Sequence, residues 1–299
     1  MRSFFITLLA LTAAPAFAQP AAPTHRLIGA ETGLTVAVTV NGQPLRLRVD
    51  PGSGLMLNLE AARRIGLRGS MLAVSARVGP VRLRGHSKVA RLRIGAWEGR
   101  RRFIWFDREV VEGADGTIGL ADLPEDEVRM ELGPVGPGQV HHVFAVESEN
   151  MLGLVHRFRV RTQDAIMRFS FLPPDSQVTA ALGAILAEAQ GGDWNGEARE
   201  APILFGVVRP LRPMRFARPL MVGGYGVAEI NVRTSDWRGD HALPADEDEG
   251  DPSEMVVTGQ RRGMRPLYRM TLGRDRLAAC SSLLYSRPRQ QLVLTCSPP

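Results

Sequence analysis

The 299-residue sequence predicts a mainly β protein, and two observations support this fold class. The composition is rich in turn-forming residues, with 31 glycines and 21 prolines. Apolar and polar residues alternate over residues 34–49 and are interrupted by Asn41-Gly42, a strong hairpin-turn signal. The returning strand leads into an Asp-Pro-Gly-Ser turn that begins at Asp50. Asp50 is therefore either a functional residue or part of an ordinary β-turn.

The N-terminal segment predicts export. Residues 1–18 contain an arginine, an apolar stretch and a final Ala-Phe-Ala, the pattern of a secretory signal peptide. No later stretch approaches the roughly 18 consecutive apolar residues that a membrane-spanning helix needs. We therefore expect a periplasmic or secreted protein with no transmembrane segment after signal cleavage.

The positive charge does not predict a nucleic-acid partner. The formal net charge is +6, but the arginines stand at alternate strand positions, as in Arg46 and Arg48 or Arg91 and Arg93. Such spacing is typical of a solvated sheet face, whereas nucleic-acid binding favours a clustered basic patch.

The two cysteines predict a disulfide. Cys280 and Cys296 flank a predicted C-terminal hairpin, and an oxidising compartment favours their pairing. Metal binding is the poorer interpretation because no further ligands follow at zinc-site spacing. No glycine-rich phosphate motif opens a helix, so neither a metal nor another cofactor is expected.

The order of patterns predicts two β lobes. A short helix capped by Asn58 is expected over residues 59–65, and a longer one should run from a Ser176 cap to Gly191. The predicted boundaries are a first lobe over residues 24–174, a connecting helix over 175–193 and a second lobe over 200–299, with an acidic loop at 244–254.

A weak internal repeat links the two halves. Ile118-Gly119 is followed by Leu123, and Leu272-Gly273 is followed by Leu277 at the same spacing. Upstream of the second copy, residues 228–236 resemble the strand that ends at Asp50, which places Asp236 at its end. Both duplication and chance similarity explain this repeat.

With these residues identified, the first half resembles the retropepsin-like aspartic proteases, specifically their exported bacterial group. The resemblance covers roughly residues 30–135 and is carried by Val49-Asp50-Pro51-Gly52-Ser53, by the segment 57–67, and by 115–119 with Leu123. It implies an acid-protease β-barrel lobe, with a second, degenerate β lobe joined by the predicted helix.

The resemblance also implies the chemistry of the site. In that family two aspartates, one from each lobe, share a proton, and the ionised one activates water. Asp50 is the first candidate, and Asp236 is a weaker candidate for the second. The resemblance further places a flap at the Gly79-Pro80 hairpin, and the expected substrate-binding residues are Gly52, Ser53, Gly79, Ile118 and Gly119.

The sequence departs from this family at two points. Pro51 has neither the hydroxyl nor the N–H with which the family's Thr or Ser ties the lobes together, and no second Asp-Thr-Gly exists. Three outcomes remain open: pairing of Asp50 with Asp236, a homodimer that pairs two copies of Asp50, or a protein that binds peptides without cutting them.

The predicted function is therefore that of an exported aspartic-peptidase-like protein that acts on, or binds, extended peptides. Asp50 would activate water in an active endopeptidase. The alternative is a catalytically degenerate protein that binds peptides or interacts within the cell envelope. Residues 254–262 look like the short energy-coupling box of TonB-dependent receptors, although an ordinary strand explains them more simply.

Overall fold

A computed structural model of the chain describes residues 25–69, 74–79, 81–149, 152–234 and 266–297. The predicted signal peptide, Asp236, the acidic loop and the segment 254–262 lie outside these residues. Within them the mainly β fold class is confirmed. The strands are β1 (His25–Ile28), β2 (Thr35–Val40), β3 (Gln43–Val49), β4 (Met56–Leu57), β5 (Val74–Val78), β6 (Val81–Ile94), β7 (Trp97–Phe106), β8 (Gly116–Ile118), β9 (Glu127–Glu131), β10 (Val140–Ala145), β11 (Glu147–Glu149), β12 (Gly153–Val160), β13 (Gln163–Phe169), β14 (Gln177–Val178), β15 (Gly192–Trp194), β16 (Arg199–Leu204), β17 (Val207–Val222), β18 (Tyr225–Arg233), β19 (Arg269–Leu272), β20 (Cys280–Ser286) and β21 (Gln291–Cys296). The α-helices are α1 (Leu59–Arg64), α2 (Ala180–Gln190) and α3 (Arg274–Leu277), and 3-10 turns span Ala30–Thr32 and Leu120–Asp122.

The predicted hairpin that precedes Asp50 is confirmed. Strands β2 and β3 pair in antiparallel register, with Val40 opposite Gln43. Asn41 and Gly42 both have positive φ, 49° and 82°, as the tightest hairpin turns require. The alternation of the sequence appears as alternating burial, because every second residue of each strand points into the core.

The first lobe is a closed barrel. Strands β2, β3, β8, β4, β7 and β6 follow one another around it, and pairing of β6 back to β2 closes the ring. At its centre β8 lies parallel to β3 and antiparallel to β4, while β4 lies parallel to β7. Strand β5 extends the sheet as a hairpin with β6.

The second lobe repeats this order. Strand β19 lies parallel to β13 and antiparallel to β14, while β14 lies parallel to β18. The flanking hairpins repeat as well, because β12 pairs with β13 and β16 with β17. Each lobe thus contains a hairpin, a loop, a short strand, a helix, a second hairpin and a central strand. This duplicated arrangement is an aspartic-protease-like β fold.

Two details differ from the expected organisation. Strands β12 and β13 belong to the second sheet, so the second lobe begins before residue 174. Helix α2 follows β14 as α1 follows β4, which makes it an element of the repeat. It begins after Thr179, so Ser176 does not cap it. The Ser176 hydroxyl donates to the Asp275 carboxylate at 2.7 Å and accepts from the backbone N–H of Gly273 at 2.8 Å.

A third sheet joins the two lobes. Its order is β1, β9, β20, β21 and β10, so strands that follow the first lobe pair with strands that follow the second. The expected C-terminal hairpin is β20–β21, and the disulfide Cys280–Cys296 crosses it. None of the helices among the described residues is long and apolar enough to cross a membrane.

Candidate active site

The first loop of the site begins at Asp50. Strand β3 runs parallel to β8 with Val49 opposite Ile118, and the backbone N–H of Asp50 donates to the Ile118 carbonyl at 3.0 Å. The loop closes as a turn, because the N–H of Ser53 donates to the Asp50 carbonyl at 3.2 Å. The Asp50 side chain is fully buried.

The second loop has the same backbone geometry. Strand β13 runs parallel to β19 with Phe169 opposite Leu272, and the N–H of Ser170 donates to the Leu272 carbonyl at 3.0 Å. Ser170 therefore occupies in the second lobe the position that Asp50 occupies in the first. Residues 228–233, which were expected to repeat the strand before Asp50, lie in β18, whose counterpart is β7 and not β3.

The two loops meet at the Asp50 carboxyl group. The hydroxyl of Ser170 lies 3.1 Å from Oδ1 and 3.0 Å from Oδ2, and it donates to one oxygen at a time. The backbone N–H of Phe171 donates to Oδ1 at 2.6 Å. The second lobe thus supplies hydrogen-bond donors to the carboxyl group at the position where a paired site would hold a second carboxyl.

Burial controls the protonation of this group. Loss of hydration raises the pKa of Asp50 from 3.8 to about 6, against the opposing effect of its hydrogen bonds and of the nearby Arg168 charge. Arg168 is itself buried, which lowers its pKa to about 10. Its Nε atom has no hydrogen-bond partner among the residues that the structure describes.

Backbone contacts replace the expected tie between the lobes. Pro51 lacks the family's hydroxyl, but its carbonyl oxygen accepts a hydrogen bond from the N–H of Leu154 in the second lobe at 2.7 Å. The contact is close enough to require glycine on both sides. A Cβ atom on Gly52 would lie 2.7 Å from the Phe169 oxygen, and one on Gly153 would lie 2.3 Å from the Pro51 oxygen.

The other predicted site residues of the first lobe line the same loop. The Ser53 hydroxyl donates to that of Thr117 at 3.0 Å, and Thr117 donates to the Gly54 carbonyl at 3.0 Å. Gly119 lies directly beneath, because a Cβ atom there would be 2.3 Å from the Ser53 oxygen. Gly79 lies apart from these residues, in the turn between β5 and β6. The roles of these residues in substrate binding remain predictions.

The second hairpins of the two lobes pack against each other. Phe205, at the tip of β16–β17, has its ring centre 4.7 Å from that of Phe106 in β7. Met56, which follows the Asp50 loop in β4, lies in the same buried group. We call this group the hairpin cluster; its members are Met56, Val78, Leu83, Phe106, Val110, Ala201, Ile203, Phe205, Val207 and Leu211.

Sequence reasoning selected Asp50 as a candidate and missed Ser170, whose hydroxyl contacts its carboxyl group. Asp236, the predicted partner, lies outside the described residues, so its pairing with Asp50 remains a prediction. The repeat of Ile118-Gly119 in Leu272-Gly273 does mark equivalent positions, since β8 and β19 are counterparts. Following that repeat backwards to the strand that pairs with β19 would have led to Ser170.

Comparisons with known proteins add little to this description. No family model matches the chain, and no curated protein matches it. Among solved structures, an aspartic proteinase from Irpex lacteus is similar over 88% of this chain and 94% of its own, with 11% sequence identity and a TM-score of 0.41. The duplicated strand order of the chain itself supports the fold assignment.

Proposed function

We propose that this protein is an exported, aspartic-protease-like protein that binds extended peptides and does not hydrolyse them. The observation that carries the proposal is the pairing of Asp50 with Ser170. The lobes bring two equivalent loops together, but only one of them contributes a carboxyl group.

Hydrolysis by this type of site needs two carboxyl groups that share one proton. One of them must be ionised to activate water while the other is protonated and polarises the peptide carbonyl. A serine hydroxyl is far too weak an acid to share a proton with a carboxylate, so Ser170 does not replace the second carboxyl group of such a pair. The full burial of Asp50 also leaves its carboxyl group without direct access to solvent water.

A homodimer does not restore the pair while this arrangement persists. The Asp50 carboxyl group is already enclosed by Ser170 and Phe171 of its own chain. A second copy of Asp50 could reach it only if the second lobe moved away. The homodimer therefore stays a prediction that concerns assembly and not catalysis.

Peptide binding is supported by the two hairpins beside the Asp50 loop. Strands β5–β6 and β16–β17 come from equivalent places in the two lobes and meet at the hairpin cluster. Strands β5 and β16, at the outer edges of these hairpins, each pair with only one other strand among the described residues, so each offers a backbone edge to which an extended chain can add. The disulfide Cys280–Cys296 and the N-terminal segment support a periplasmic or secreted location.

The test combines cleavage and binding. The purified protein and its Asp50→Asn variant are incubated with a diverse peptide mixture from about pH 4 to neutral pH, with an active aspartic protease as positive control. Mass spectrometry is expected to detect no product from either protein. Peptide retention on the immobilised protein is expected with both.

Two results would overturn the proposal. Products formed by the wild type and lost in the Asp50→Asn variant would show an active peptidase. Absence of peptide retention at every pH would remove the binding function. An intact disulfide and an unchanged circular dichroism spectrum must accompany either result, so that misfolding is not mistaken for inactivity.

A further inference from the structure

The hairpin of β6 and β7 carries four arginines on one of its faces. In the register of the two strands, Arg91 is opposite Arg100, and Arg93 is opposite Glu98. Arg102 lies two residues beyond Arg100 on β7. Residues that are opposite each other, or two apart on one strand, share a face of the sheet. We call Arg91, Arg93, Arg100 and Arg102 the basic face.

The basic face is the outer side of this hairpin. All four arginines are exposed to solvent, whereas residues that alternate with them, such as Leu92 and Phe103, are fully buried in the core of the first lobe. At the edge of the hairpin the face continues onto β2, where the uncharged Thr39 lies opposite Arg93. The basic face is therefore part of the outer surface of the barrel.

Like charges meet directly across the two strands. The Cβ atoms of opposite residues such as Arg91 and Arg100 are about 5 Å apart, and like charges at such positions destabilise a sheet. Glu98 is the only acidic residue of β6 and β7, and its carboxylate lies 3.4 Å from Arg91. Both side chains of this ion pair are largely exposed, so it contributes little to stability. The side chain of Arg100 has no hydrogen bond or ion pair with the described residues.

The other two arginines contact uncharged groups. The Nε atom of Arg93 donates to the hydroxyl of Thr39, and the Nη1 atom of Arg102 donates to the hydroxyl of Ser87, each at 3.2 Å. A hydroxyl orients a guanidinium group and leaves its positive charge in place. Four arginines and one glutamate give the face a net charge of +3, which an anionic partner would balance.

The spacing of the charges suits an extended anionic surface. Positions two apart on a strand are separated by about 7 Å, so the four arginines lie within about 15 Å on one side of a single strand pair. Neighbouring charges are closer than the Debye length of about 8 Å at physiological salt, so they act together on a partner. Val89, opposite Arg102 and 36% exposed, places an apolar group among them.

From this arrangement we infer that the basic face binds the surface of membranes that contain anionic phospholipids. A guanidinium group binds a phosphate with two parallel hydrogen bonds, and phospholipid headgroups present phosphates in a plane. Nucleic acid carries the same chemical group, but the proposed exported location places the protein among the membranes of the cell envelope. The inference goes beyond the proposed peptide binding and assigns a different surface to a different partner.

The test is co-sedimentation of the purified protein with lipid vesicles. One set of vesicles contains phosphatidylcholine alone, and the other contains about 30 mol% phosphatidylglycerol to supply negative charge. We expect the protein to sediment with the anionic vesicles and to stay in solution with the neutral ones. Added salt should release it, because the attraction acts between exposed charges.

Substitutions then locate the binding surface. A basic residue near an anionic membrane contributes about fivefold to affinity, so Arg91→Gln/Arg100→Gln should bind anionic vesicles about 30-fold more weakly than the wild type. The control Arg157→Gln/Arg159→Gln removes the same formal charge from β12, where both arginines are exposed and paired with carboxylates of neighbouring strands. It should keep the wild-type affinity. All four side chains are exposed, and circular dichroism is expected to show that both variants fold.

Several results would overturn the inference. Absence of sedimentation with anionic vesicles would do so, as would equal sedimentation with neutral ones. An equal loss in the two variants would show that total charge, and not the basic face, explains the binding. Tighter binding to a DNA duplex than to vesicles, at equal phosphate concentration and equal salt, would assign the face to nucleic acid. Peptide retention is measured separately, so failure of this inference is distinguishable from failure of the proposed function.

Discussion

Replacing Asp50 with asparagine should change how the stability of the protein depends on pH. The pKa of Asp50 is about 6 in the folded protein, against an ordinary value of 3.8. Between these values the folded state binds more protons than the unfolded state, so the free energy of unfolding falls as the pH rises. The contribution is fully present below about pH 4 and is lost above about pH 6.

The size of the effect follows from the shift. A difference of one pKa unit corresponds to about 1.4 kcal/mol, so the full contribution is about 3 kcal/mol. Over an accessible range from about pH 4 to about pH 7, about 2 kcal/mol of it should be visible. Asparagine does not titrate, so this part of the pH dependence should be absent in Asp50→Asn.

The assay is urea unfolding followed by circular dichroism across that pH range. Other carboxyl groups also titrate, among them Asp122, whose pKa burial likewise raises to about 6. The difference between the wild type and Asp50→Asn isolates Asp50, and the exposed Asp164→Asn serves as matched control. Parallel curves for the wild type and Asp50→Asn would refute the reasoning, as would a wild type that gains stability relative to the variant when the pH rises.

Three further perturbations test the contact between the two lobes and the features that stabilise the site. In urea titrations, Gly153→Ala should lower the free energy of unfolding by about 2 kcal/mol more than Gly42→Ala. Both glycines have positive φ, but only at Gly153 would a Cβ atom clash with the Asp50 turn of the other lobe. Equal losses in the two variants would contradict this close contact. Reduction of Cys280–Cys296 should cost about 3 kcal/mol, as expected for a loop of this length, and an unchanged melting temperature would contradict a structural role. Ser170→Ala removes a hydrogen bond that lowers the pKa of the buried aspartate, so the carboxyl group should titrate above pH 6 in NMR; titration at or below the wild-type pH would show that the hydroxyl does not serve it.

The parts of the fold that depend on residues close together in the sequence were predictable from it. The hairpin before Asp50 follows from the alternation of apolar and polar residues and from Asn41-Gly42, two residues that readily adopt the positive φ values of a tight hairpin turn. The disulfide follows from two cysteines around one hairpin. The internal repeat marked Gly119 and Gly273. The structure gives the physical reason for both glycines, because at each one the backbone of another segment approaches too closely for a side chain.

Ser170 was not predictable in this way, because its role comes from pairing between distant strands. Nothing around it differs from an ordinary strand end, and a search for a second aspartate motif passes over a serine. The expected role of residues 175–193 as a connecting helix also concealed it. Helix α2 follows Ser170 at nearly the distance at which α1 follows Asp50, and recognising both helices as one repeated element would have identified the loop.

The most direct test of a site with a single carboxyl group is an NMR titration of the protein labelled with 13C at its aspartate carboxyl carbons. We expect two aspartate carboxyl signals that titrate near pH 6, those of Asp50 and Asp122, and the one that disappears in Asp50→Asn should titrate in a single step. A two-step curve would contradict the account, because it would show that Asp50 shares its proton with a second acid.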